Sequence, residues 1–133
     1  MENGMGTLTI MGQNVADIRS LYDEINRVFM AGEDWNLEQS LDAFNDMLYG
    51  GYGAMAGQEP KIIVWQDIEI SKMALGVEAT REFWQKKLLQ PEVFNTELIR
   101  TQLFELEGGV GKTYFEIIME IIADHPDIEL VRA

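Results

Sequence analysis

Ile62-Ile63-Val64-Trp65 places four large apolar residues in a row, directly after Pro60 and Lys61. The run is too short for a helix and lacks the alternation of a strand with one wet face. It reads as a strand buried on both faces, the pattern of a parallel sheet packed between helices. A shorter strand is expected at TLTIM, residues 7 to 11, and a closing one at Ile128-Glu129-Leu130-Val131. Helical periodicity fills the intervals. From Asn14, residues Ile18, Leu21, Tyr22, Ile25, Val28 and Phe29 form one apolar face, which Gly32 ends. Further helices are expected from about Leu37 to Tyr49, Ser71 to Leu89 and Thr113 to Asp124, with a short one in NTELIRTQLF. Strands separated by helices imply α/β layering around a parallel sheet.

A chain of 133 residues, 47% of them apolar, is expected to be one domain with a genuine core. No run of ~20 apolar residues exists, so no membrane span is expected. MENGMG has neither a basic start nor an apolar centre, so no secretory signal is expected and the cytoplasm is the default compartment. The absence of cysteine excludes disulfides and thiolate metal sites. The single histidine, His125, excludes a histidine-rich metal centre and argues against a Ser-His-Asp arrangement. It stands in ADHPD and is expected to be exposed at a helix end. No cofactor and no metal are expected, and the chain is not read as an enzyme.

Ten Lys and Arg against 23 Asp and Glu leave a net charge of −13. Nucleic acid is therefore an unsuitable partner, because its binding depends on cations that neutralise phosphates. A basic protein partner, drawn in by electrostatic steering, fits better. Acidity alone can serve mere solubility. Its distribution is more specific, since Glu33, Asp34, Glu38, Asp42, Asp46 and Glu59 follow one another between Arg27 and Lys61 with no cation among them.

GGVGKT, residues 108 to 113, resembles the end of a phosphate-binding loop. That motif, G-x-x-x-x-G-K-[ST], needs its first glycine at 106, where Leu106 stands, and a strand feeding the loop. The related KGGVGKT form needs lysine at 107, where Glu107 would repel the phosphate. The stretch is better read as a glycine-rich loop whose Thr113 starts a helix.

On the second helix, Leu37, Leu41, Phe44 and Leu48 share a stripe that must face the core. Glu38, Asp42, Asn45, Asp46 and Tyr49 fall beside it. Asp42 and Asp46 stand at i and i+4, an arrangement that costs about 0.2–0.5 kcal/mol in an isolated helix. An ordinary solvated face would explain them; so would a preformed pair of acceptors for a partner's arginines. Acid–base catalysis wants carboxylates across a cleft in unlike environments, so recognition is the better reading.

LDAFNDMLYG, followed by IIVWQDIEISK, resembles the barstar family of ribonuclease inhibitors. The pattern is carried by Leu41, Asp42, Ala43, Asp46, Leu48 and Gly50, then by Trp65, Glu69, Ser71 and Lys72, and at the end by Asp127 and Ile128. The likeness covers most of the chain except about residues 90–111, which read as an insertion in a single barstar-like domain. It implies a three-stranded parallel sheet flanked by about four helices. It also implies an inhibitor or immunity protein that occludes the active site of a basic ribonuclease or toxin nuclease; a monomer is the default expectation, and the sequence does not fix the oligomeric state.

In that family the second helix and the loop before it enter the nuclease, with acidic side chains in place of RNA phosphates. Asp46 takes the central position, Asp42 its companion and Glu120 the glutamate of the last helix. The loop tyrosine falls at Asn36, with Trp35 one place earlier, and the helix tryptophan falls at Asn45. Gly51 replaces an aromatic residue, with Tyr49 and Tyr52 close by. Aromatic anchors decide much of partner choice, so the target is not expected to be the family's usual nuclease. The implied interface is Trp35, Asn36, Glu38, Asp42, Asn45, Asp46, Tyr49, Gly50 and Glu120. A reading from another class is an acidic adaptor of the same fold that binds a basic protein other than a nuclease.

Overall fold

The computed structural model describes residues 6–57 and 59–133. Three parallel strands, β1 (Thr7–Met11), β2 (Lys61–Gln66) and β3 (Ile128–Arg132), lie in chain order with β2 central. The helices are α1 (Ile18–Phe29), α2 (Leu41–Leu48), α3 (Ile68–Ala74), α4 (Val77–Leu88), α5 (Thr96–Glu107) and α6 (Tyr114–Ala123). The expected α/β fold with a three-stranded parallel sheet is what the chain adopts. No helix among the described residues is long and apolar enough to cross a membrane.

The core lies on one face of the sheet. Ile10, Ile63 and Trp65 point into it and meet Leu21, Tyr22, Ile25 and Phe29 of α1, Phe44, Met47 and Leu48 of α2, and Phe115, Ile118 and Ile122 of α6. Burial on both faces, expected from the run in β2, is not found. Ile62 is 37% exposed and Val64 half-buried, because residues of that parity face away from the helices beside Thr7, Thr9 and Val131. The run is apolar throughout, yet only alternate residues are packed.

Several boundaries shift for identifiable reasons. Helix α1 begins at Ile18, not Asn14, because Asp17 accepts from Ser20 N–H and Ser20 Oγ accepts from Asp17 N–H, a reciprocal cap. The helix expected from Ser71 to Leu89 is two helices, broken at Leu75-Gly76. The break lets Leu75 reach full burial while its carbonyl accepts from Phe115 N–H. Thr80, fully buried, then bonds the Gly76 carbonyl and accepts from Tyr114 N–H at 2.7 Å.

At the end of the sheet the Trp65 indole N–H donates to Ser71 Oγ at 2.9 Å, and that hydroxyl donates to the Gly12 carbonyl. The clamp ties the central strand to α3 and to the turn after β1. Residues 90–111 hold the full helix α5, whose Ile99 and Leu106 are buried outside the central cluster, where α5 packs on α4.

Candidate functional site

Helix α2 starts at Leu41 because Ser40 Oγ accepts from Ala43 N–H. The residues before it, expected to be helical from Leu37, are held in a loop by α1. Asn26 Oδ1 accepts from Leu37 N–H at 2.7 Å, and its amide donates to the Leu37 carbonyl. Leu37 is thereby anchored in the core, and Glu38 is left exposed at the approach to α2.

Phe44, Met47 and Leu48 turn α2 onto the core, which directs Asp42 and Asp46 to solvent. Neither they nor Glu38 forms an ion pair with another described residue. Such carboxylates keep their full acceptor capacity for arginines or lysines brought by a partner.

An aromatic pair stands beside them. Trp35, 44% exposed, packs on Tyr52 with ring centroids 4.9 Å apart. Burial first, and the nearby Asp46 carboxylate second, hold the Tyr52 phenol above its ordinary range. The two loops that carry this pair are tied by Glu33, whose carboxylate accepts from Gly53 N–H at 2.9 Å. Gly53 lies at φ +68°, where a Cβ would stand 2.6 Å from the Phe29 carbonyl oxygen. Gly50 lies at φ +93° with a Cβ position 2.7 Å from the Met55 carbonyl oxygen, so it shapes the turn. Asn36 is exposed next to Trp35.

The remaining candidates are used differently. Asn45 turns inward, its Oδ1 bonded to His125 Nε2 at 2.8 Å. His125 is only 7% exposed, not a surface residue as expected, because it wedges between α2 and the end of α6. Tyr49, 74% exposed, lays its ring edge-on to His125 at 4.6 Å. Glu120 is bonded to Lys112 Nζ at 2.8 Å. Glu38, Asp42, Asp46, Trp35 and Asn36 thus lie exposed on α2 and the loop before it, while Glu120 is held by Lys112.

Tyr52 and Glu33 belong to the same surface, although the sequence does not single them out as site residues. Their signal is an aromatic residue inside YGGYGAMAG and an acid before Trp35, but only folding brings the two loops together.

The GGVGKT stretch is fed by α5, a helix, where a phosphate loop needs a strand. The amides of Gly108, Gly109, Val110, Gly111 and Thr113 are already engaged. Val110 N–H donates to the Glu105 carbonyl and Gly109 N–H to that of Leu106, with Gly109 at φ +81°. This is a Schellman closure of α5. Lys112 is held by Glu120, and Thr113 caps α6.

No protein-family model matches the chain, and no curated protein matches it. What the α2 surface does must follow from its chemistry. Carboxylates one turn apart with no cation partner among the described residues, flanked by half-exposed aromatic rings, present acceptors for charge-assisted hydrogen bonds.

Proposed function

We propose that this protein is an inhibitor or immunity protein that binds a basic nuclease through α2 and the loop before it, occluding the nuclease's active site. One observation carries the reading: Asp42 and Asp46 stand exposed, one turn apart and without a described cation, beside the tilted Trp35–Tyr52 pair. In a nuclease cleft, carboxylates so presented take the place of substrate phosphates against lysine and arginine. The order of motifs that resembles the barstar family supports the same reading. Charge steering and a dominant central aspartate are known features of that family's type complex, and they set the direction of the expectation for Asp46.

The test is a set of dissociation constants and melting curves for Asp46→Ala, Asp42→Ala and Glu38→Ala, against the partner captured from the native lysate. Asp46→Ala is expected to weaken binding by about 2–5 kcal/mol, because cations buried in the complex lose their acceptor. Asp42→Ala costs less, and Glu38→Ala, nearer the rim, under about 1 kcal/mol. Thermal stability holds, since none of the three supports the core. A folded Asp46→Ala protein that binds like the parent rules out this face. A captured partner that is basic but has no nuclease activity favours the adaptor reading.

A further inference from the structure

Beside the α2 face lies a groove of about 480 Å³ between the start of α2 and the α4–α5 hairpin. Its two walls differ in chemistry. Glu38 and Asp42 line one side; Trp84, Phe94 and Leu98 line the other. Trp84 and Phe94 are half-buried and Leu98 is 53% exposed, so the apolar wall is open to a partner. That wall already attracts a cation, with Lys87 Nζ lying 4.0 Å from the Phe94 ring centroid and 4.9 Å from that of Phe83.

We infer that this groove is a docking site for an arginine followed by an apolar residue, presented on an extended segment of a basic protein. The inference rests on the reading of the α2 face as a protein-binding surface and extends it across α4 and α5. A planar guanidinium stacks on an indole while its fork donates to a carboxylate, and the groove offers both along its length. The neighbouring apolar side chain covers Leu98. A purely apolar segment would strip water from Glu38 and Asp42 without replacing their hydrogen bonds. An acidic segment meets a chain of net charge −13. Lys87 is the one like charge an incoming arginine meets among the groove's lining residues.

The experiment uses the indole N–H signals of the three tryptophans in ¹⁵N-labelled protein, with Trp35→Phe and Trp84→Phe supplying assignments. Trp84 reports the groove and Trp35 the α2 face, while Trp65, buried against Ser71, is a silent control. Titration with acetyl-Arg-Leu-amide at low salt is expected to move Trp84 saturably. Acetyl-Gly-Leu-amide and acetyl-Glu-Leu-amide leave it in place. Glu38→Gln with Asp42→Asn weakens the arginine peptide about three- to fivefold, the range of exposed ion pairs. Lys87→Gln tightens it. An unmoved Trp84 signal overturns the docking site, as does equal movement by the glycine peptide. Movement of Trp35 alone overturns the groove yet leaves the α2 face standing. Saturable movement of Trp84, together with full partner affinity in Asp46→Ala, upholds the groove and rejects the inhibitor reading.

Discussion

Glu24 is buried to 3% exposure on α1, yet every polar contact it needs is present. Its carboxylate accepts from Met11 N–H at 2.7 Å, from Asn14 Nδ2 at 3.0 Å and from the Arg27 guanidinium at 2.6 and 2.8 Å. Burial pushes its pKa up, but the Arg27, Met11 and Asn14 hydrogen bonds outweigh burial and hold it below the ordinary 4.5. A depressed folded-state value means the stabilisation is full above about pH 4.5 and is lost as pH falls through the lower folded value. Glu24→Gln is expected to cost about 1.5–3 kcal/mol at neutral pH, the range for hydrogen bonds to charged groups. Melting temperatures of parent and variant should converge in acid; a gap that stays constant with pH would disprove the assignment. Tyr22 and Tyr114 share a buried hydroxyl–hydroxyl bond of 2.6 Å, and burial raises both phenols, Tyr114 to about 12. They form a neutral polar contact inside an apolar core, closing α1 on α6.

Helix α2 is short, and its ends are set by capping and not by periodicity. Ser40 supplies the start, and the left-handed Gly50 turns the chain away just past the end. Ser40→Ala is expected to destabilise the protein by about 1 kcal/mol through loss of the cap. Urea midpoints measure this, and an unchanged midpoint would show that Leu37 and Asn26 alone hold the helix start. The apolar face of α2 is legible in Leu41, Phe44 and Leu48, as is its acidic side. The entry loop is not, since nothing local in the sequence announces that Asn26 will bond both backbone groups of Leu37. The same holds for the helix pair α3 and α4. Their residues keep good helical character, and the break at Gly76 follows from the burial of Leu75 and the Thr80 and Phe115 contacts.

Across the whole molecule, a net charge of −13 sets the long-range field, and the carboxylates of α2 face outward within it. Association with a basic partner is expected to slow markedly with added salt, as screening lengths contract from about 10 Å at 0.1 M to about 3 Å at 1 M. Stopped-flow association rates across that range check this, and a flat profile would remove steering from the mechanism. Among the described residues the sheet is covered by helices on one side only, which is unusual for parallel strands. The partly exposed Ile62 and Val131 lie on its open side.

The sequence by itself determined the strands, the parallel α/β layering, the apolar sides of α1 and α2 and the run of acids from Glu33 to Asp46 with no cation among them. These are local or summed properties: periodicity along the chain and charge added over it. Tertiary structure decided which face of β2 is packed, where α2 begins, that His125 is buried against Asn45, and that Glu120 is paired with Lys112. It also decided that Trp35 meets Tyr52 beside Asp46 and that α5 closes a groove against α2. Each of these joins residues distant in sequence. Such contacts form only when burial of the shared core offsets the entropy of bringing those segments together.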